Sequence, residues 1–129
     1  MAKKRPIPRR TSPDDERAWY RRAVDTYLAA CYRARSRATT SEFARNFGVT
    51  PQSLTRIFQR LFHQTPLRYF RLRQLQQVVR LLEQSPQTID EIAEHSALGT
   101  RATLFRLFVG QFGVTPEQYR RDPTPRGKK

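Results

Sequence analysis

The sequence predicts an all-α fold in which two helix-turn-helix subdomains are joined by a long helix. No stretch of the 129 residues shows the alternation of a β-strand, and the breaks between apolar stretches carry the signals of helix ends. Residues 39–69 also repeat as residues 88–119. The predicted divisions are a disordered basic arm at 1–11, a first subdomain at 12–65, a linker helix at 66–84, a second subdomain at 85–121 and a basic tail at 122–129.

The charge balance predicts a polyanionic partner. The chain has 25 Lys and Arg against 11 Asp and Glu, a net charge of +14. All lysines lie in the arm and the tail, so the cations of the central part are arginines. The arm either follows phosphates or enters a minor groove, as arms of other DNA-binding domains do, or it only keeps the chain soluble.

The first predicted helix begins at Ser12-Pro13, where an N-cap and a proline precede three acids that favour a helix N-terminus. Its apolar residues have helical spacing and predict a face that packs on the core. The helix is expected to fray near residues 35–37. The residues on its apolar face are Trp19, Tyr20, Ala23, Val24, Tyr27, Leu28 and Cys31.

The internal repeat defines the two subdomains. Thr39 and Glu42 match Thr88 and Glu91 at one offset, and seven positions from residue 54 to 69 match seven from 104 to 119 with one residue inserted. Each Thr-x-x-Glu predicts a capping box at the start of a short first helix. A turn at 48–49 or 97–99 leads to the second helix, which is the helix-turn-helix pattern.

The linker helix over 66–84 carries apolar residues on two sides, as expected for a rod against which both subdomains pack. At ~1.5 Å per residue it spans about 28 Å. Successive turns of one face of B-DNA lie ~34 Å apart, so the two second helices could reach neighbouring major grooves.

Three segments carry a resemblance to the AraC/XylS family of transcription regulators: FARNFGVTPQSLTRIFQRLF, PLRYFRLRQLQQVVRLL and IDEIAEHSALGTRATLFRLFVGQFGVTPEQYRR. The layout is closest to small single-domain members of the MarA, SoxS and Rob type. The resemblance covers about residues 16–121. It implies about seven helices, a recognition helix from each unit in adjacent major grooves, and a monomer that reads an asymmetric two-part site. Because those members have no ligand-binding domain, it also implies control by abundance or by a partner protein.

In the first recognition helix the apolar residues 54, 57, 58 and 61 must face the core, so the opposite face is predicted to meet DNA. Gln and Arg can form paired hydrogen bonds with adenine and guanine edges. The predicted base contacts are Gln52, Ser53, Thr55 and Arg56. Gln59 and Arg60 are assigned mainly to phosphates.

The second recognition helix departs from the family pattern. Arg101, Thr103 and Arg106 occupy positions where the family contacts DNA, and they are predicted to contact bases. Phe105 and Val109, however, form an apolar line with Phe112, and Gly110 weakens the helix. Either this unit reads DNA weakly, with Phe105 against thymine methyl groups, or Phe105 and Val109 contact a protein.

Further arginines are candidates for phosphate contacts or for ion pairs within the protein. They are Arg68, Arg71, Arg73, Arg80, Arg120 and Arg121, of which Arg71, Arg73, Arg120 and Arg121 are assigned to phosphates.

Catalysis, metals and cofactors are not expected. Cys31 lies on an apolar face and reads as a packed side chain. His63 is placed at a helix end where the family prefers glycine, and it is interpreted as a C-terminal cap. A single cysteine excludes an intrachain disulfide, and two isolated histidines do not make a zinc site. Neither a signal peptide nor a transmembrane segment is predicted.

These observations predict a sequence-specific, double-stranded-DNA-binding transcription regulator, monomeric and not an enzyme. We expect it in the cytoplasm, associated with the nucleoid, with RNA polymerase or another transcription factor as a further partner. The alternative is an architectural, nonspecific DNA binder, or an adaptor whose second unit contacts a protein.

Overall fold

A computed structural model describes residues 12–123, and these form seven α-helices. The predicted arm and all but the first two residues of the predicted tail lie outside that range. The helices are α1 (Pro13–Ala34), α2 (Thr40–Phe47), α3 (Pro51–Phe62), α4 (Pro66–Gln84), α5 (Ile89–His95), α6 (Arg101–Phe112) and α7 (Pro116–Arg121). The all-helical prediction, with two helix-turn-helix units and a long helix between them, is confirmed.

The first unit is α1, α2 and α3 packed on the N-terminal half of α4. Its core is rich in aromatic rings, with Phe43 touching Phe47, Phe58 and Phe70 mostly edge to face. Such contacts add about 0.5–1.5 kcal/mol each to the burial of the rings. The apolar face predicted for α1 is buried here, Cys31 included.

The second unit is α5, α6 and α7 packed on the C-terminal half of α4. Its core contains more aliphatic side chains, among them Leu75, Val78, Ile92 and Leu104, together with Phe108. The two clusters divide α4 between them, since Tyr69 and Phe70 belong to the first and Leu75, Val78 and Leu82 to the second. α4 therefore forms part of both cores.

Threonine side chains start every helix after α1, because each accepts a hydrogen bond from the backbone N–H three residues on. The capping box predicted at Thr88 is present, with Glu91 accepting from the Thr88 N–H at 2.8 Å. The one predicted at Thr39 is incomplete. There the Tyr27 hydroxyl accepts from the Thr39 N–H at 2.9 Å and donates to Glu42 at 2.7 Å, so α1 supplies the missing half.

The turns of the two units differ, and the inserted residue of the repeat lies in the second. Gly48 ends α2 in the left-handed region, with φ +73°. In the second unit Ala97 takes that conformation with φ +63°, and Gly99 follows with φ +108°. Leu98, between them, is buried in the second core.

Within residues 12–123 no helix is both long enough and apolar enough to cross a membrane.

Candidate nucleic-acid interface

Helix α3 presents one polar, accessible ridge, defined here by Gln52, Ser53, Thr55, Arg56, Gln59 and Arg60. The opposite face of the helix is buried in the core and carries Leu54, Phe58 and Leu61. On the ridge Gln52, Arg56, Gln59 and Arg60 are exposed, and the two hydroxyl residues are half-buried. The structure thus places all six predicted contacts of the first unit on one surface.

Several α3 ridge side chains are held by local bonds that leave most of their hydrogen-bonding groups available. Arg56 donates to the Ser53 hydroxyl at 3.3 Å, and Thr55 donates to the Pro51 carbonyl at 2.9 Å. Among the described residues Gln52 and Gln59 have no side-chain partner. Two free amides and a guanidinium on one exposed ridge are suited to reading base edges.

Helix α6 presents the equivalent ridge of the second unit, but with fewer polar groups. The internal repeat aligns Gln52 with Ala102 and Thr55 with Phe105. It likewise aligns Gln59 with Val109 and Arg60 with Gly110. At the remaining two positions α6 keeps a polar residue, since Thr103 aligns with Ser53 and Arg106 with Arg56.

Arg101, the third predicted base contact of α6, is engaged by two acids. Its guanidinium pairs with Asp90 of α5 and, at 2.8 Å, with Glu117 of α7. Its Cζ atom lies 4.9 Å from the centroid of the Phe105 ring. The hydrogen bond to Asp90 is the main reason why the pKa of Arg101 is raised.

An apolar surface accompanies this arrangement. Val109 is 41% exposed and Phe105 is half-buried beneath Arg101. Leu67, at the start of α4, is the other large apolar side chain of the described residues that is exposed.

Three of the predicted phosphate contacts have partners inside the protein. Arg60 pairs with Glu16 at 3.1 Å, and Arg73 pairs with Asp25 at 2.8 Å. Arg120 donates to four backbone carbonyls between residues 81 and 87, including that of Gln87 at 2.6 Å. These bonds give Arg60 and Arg73 a role in tying α1 to α3 and α4, and Arg120 a role in closing the C-terminal end of α4. Their phosphate contacts remain predictions.

Arg71 and Arg121 have a different environment. Burial lowers the pKa of Arg71, and the neighbouring positive charges of Arg37 and Arg106 lower it further. Neither Arg71 nor Arg121 has a hydrogen bond or ion pair with another described residue. Arg37 was not singled out from the sequence, since the loop after α1 showed only a fraying helix end. The structure distinguishes Arg37 because its positive charge, like that of Arg106, lies close enough to Arg71 to lower the Arg71 pKa.

The residues considered for catalysis have structural roles. Cys31 is buried, and burial raises the pKa of its thiol. His63 ends α3 in the left-handed region with φ +61°, which is the C-terminal cap expected of it. No group of three metal-binding side chains occurs among residues 12–123.

The comparisons with known proteins agree with this architecture. A family model described as a helix-turn-helix domain matches residues 43–122. The HTH-type transcriptional regulator Rv1931c of Mycobacterium tuberculosis is 31% identical over 80 residues, which are 62% of this chain and 31% of that protein. The chain thus spans about a third of the length of that relative.

Solved structures share the fold. The DNA-binding domain of AdpA, a global transcriptional factor solved in complex with a target DNA, superposes with a TM-score of 0.66 at 23% identity, covering 79% of this chain and 97% of that one. The C-terminal domain of AraT, a response regulator from Geobacillus stearothermophilus, superposes with a TM-score of 0.67 at 22% identity, covering 83% of this chain and 90% of that one. At these identities the likeness is one of fold.

Proposed function

Because the chain belongs to the helix-turn-helix family of AraC-type DNA-binding domains, we propose that it is a sequence-specific regulator of transcription that binds double-stranded DNA as a monomer. The family and the relatives named above are regulators rather than enzymes. In this proposal α3 enters one major groove and α6 lies over the next, with α4 setting their separation.

The observation that carries the proposal is the α3 ridge. Gln52 and Arg56 are exposed on the face opposite the buried one, and the amides of Gln52 and Gln59 are unpaired among the described residues. Gln52, Ser53, Thr55 and Arg56 are the proposed base contacts of this unit. Gln59 and Arg60 would contact phosphates, the latter after release from Glu16.

The second unit is proposed to bind mainly through the DNA backbone. Arg106 is exposed and shares its side of the protein with Arg71, where Arg37 adds a third positive charge without an acid. Such a group of cations suits the phosphates that run between the two grooves. Arg106, predicted from the sequence as a base contact, is therefore proposed as a phosphate contact. Thr103 is a proposed base contact, and Arg121 a proposed phosphate contact.

The apolar surface of α6 favours a second candidate function, in which Phe105 and Val109 contact RNA polymerase or another transcription factor. Its support is the 41% exposure of Val109 beside Phe105. Footprinting separates the two possibilities, since protection of both major grooves supports DNA contact by α6. Protection of one groove would instead favour the adaptor. A location in the cytoplasm, with the nucleoid, follows from either function.

Selection of binding sites from randomised duplex DNA tests the proposal. We expect one asymmetric site, favoured by ~10³-fold or more over random duplex at physiological salt. Arg56→Ala should cost about 1–3 kcal/mol and relax the preference at one base position. Arg33→Ala, an exposed arginine of α1, is the matched control and should leave every base preference unchanged.

Equal weakening on all sequences by Arg56→Ala would make Arg56 a phosphate contact. Absence of any selected sequence would overturn sequence-specific binding in favour of an architectural role.

A further inference from the structure

Arg101 occupies the position on α6 where a recognition helix is expected to read bases. In helix-turn-helix proteins the N-terminal residues of the second helix contact base edges. Arg101 is the first residue of α6, and 45% of its side chain is exposed. A free arginine here could donate two parallel hydrogen bonds to a guanine.

The two acids hold the Arg101 guanidinium through two of its five N–H groups. Nη1 of Arg101 donates to Asp90, and Nη2 donates to Glu117 at 2.8 Å. Paired recognition of guanine also uses two N–H groups of the guanidinium. With Phe105 against its flat face, the group is restrained at three points, and this network is stronger than an isolated exposed ion pair.

The network also reverses the local charge. Two carboxylates and one guanidinium give a net negative charge at the start of α6, in a chain whose net charge is +14. A phosphate or an electronegative base edge is repelled by the uncompensated carboxylate. The first unit has no equivalent, because the repeat places Ser41, Pro51 and Leu67 at the positions of Asp90, Arg101 and Glu117. The network is therefore not required to build such a unit.

We propose that Asp90 and Glu117 are specificity-determining residues that withhold Arg101 from DNA, so that the second unit does not read a base through Arg101. This inference rests on the proposed function. It assigns sequence discrimination chiefly to the α3 ridge and leaves backbone contacts to α6. It replaces the predicted base contact of Arg101 with a proposed role inside the protein.

A mutant cycle on the full chain tests the proposal, with the duplex selected by the wild type as the probe. Arg101→Ala should lower wild-type affinity by no more than about threefold and change no base preference, because the side chain makes no DNA contact and only its compensating charge is lost. Asp90→Asn with Glu117→Gln should raise affinity several-fold. In that background Arg101→Ala should cost roughly tenfold, the effect of losing a paired base contact.

Asp14→Asn with Asp15→Asn removes the same two negative charges elsewhere, at the exposed start of α1, and is the charge-matched control. It should raise affinity equally with and without Arg101. Site selection gives a second readout, since the Asp90→Asn, Glu117→Gln variant should gain a guanine preference in the second half-site. Should the double variant fold poorly by circular dichroism, Glu117→Gln alone releases Nη2 and should move affinity in the same direction.

An equal loss on Arg101→Ala in both backgrounds, or a wild-type guanine preference that Arg101→Ala removes, would overturn this inference while leaving the regulator proposal intact. A wild-type chain that selects no sequence would overturn the regulator proposal itself and, with it, this inference.

Discussion

Single buried phenol groups tie the first unit together and link its stability to pH. Tyr27 joins α1 to the start of α2 through Thr39 and Glu42, and burial raises its pKa above the ordinary value. Burial also raises the pKa of Tyr20, which is 1% exposed, to about 12. Burial and, to a smaller extent, the hydrogen bond that its hydroxyl donates to Glu83 likewise raise the pKa of Tyr119, in the second unit, to about 12.

These shifts predict a loss of stability at alkaline pH. Between pH 10 and about 12 the unfolded chain releases the proton of Tyr20 while the folded chain keeps it. The unfolded state then binds fewer protons, so the free energy of unfolding falls as pH rises through this window and is fully retained below it. Urea unfolding from pH 8 to 12 measures the slope. Tyr20→Phe, which removes the titrating group, should give a shallower slope, and an unchanged slope would contradict the assignment to this residue.

At the scale of the helix, backbone conformation decides what a glycine contributes. Gly110 lies inside α6, and a methyl group built there meets nothing within 4 Å. Gly113 ends the same helix with φ +79° and equally open surroundings. The two positions therefore differ in backbone conformation and not in available space.

This difference predicts opposite effects of the same substitution. Gly110→Ala should raise the free energy of unfolding by about 1 kcal/mol, because alanine restricts the unfolded chain and favours the helix. Gly113→Ala should lower it by about 1 kcal/mol, because a side chain is strained in the left-handed region. Denaturant unfolding measures both. Stabilisation by both variants would mean that the C-terminal end of α6 is not left-handed in solution.

Most elements could be predicted from the sequence, because their signals are local. Helix starts follow from threonine caps and Thr-Pro pairs, and the internal repeat defines the two units independently of any one cap. The capping box at Thr39 could not be predicted to be incomplete, since its second half comes from Tyr27, twelve residues away. The ion pairs of Arg60 and Arg101 could not be predicted for the same reason, since contacts between helices leave no mark in the local pattern. For Arg73 an internal ion pair was one of two alternatives, but the sequence did not identify Asp25 as the partner.

At the scale of the whole molecule, polar contacts join the two units where α4 passes from one core to the other. Gln74 is 2% exposed and donates its amide to the carbonyls of Ser96 at 3.4 Å and Ala97 at 3.1 Å. The guanidinium of Arg35, the residue that ends α1, donates to a carboxylate oxygen of Glu94 at 3.3 Å and lies 2.8 Å from Nε2 of His95, both in α5. Ala97 itself packs against the first core. The turn of the second unit is thus attached to the first unit.

The sequence did not predict this contact between the two units. Gln74 is a polar residue on an amphipathic helix, and such a residue is normally solvated. Its burial follows only from the approach of the turn at residues 96–97, which depends on how both units pack on α4. The separation of the recognition helices, on which a two-part site depends, therefore rests on a contact that local spacing does not reveal.

Because the buried amide of Gln74 holds the turn of the second unit, we expect it to control how both units bind DNA. Gln74→Ala leaves two carbonyls without their donor and should lower the free energy of unfolding by about 2 kcal/mol. Affinity for the full selected site should fall more than affinity for a duplex that carries only the half read by α3, because the second unit loses its fixed orientation. Gln84→Ala, an exposed glutamine at the end of α4, is the matched control and should change stability by less than about 0.5 kcal/mol. Equal losses of affinity on the full and half sites would mean that Gln74 stabilises the fold without setting the geometry between the units.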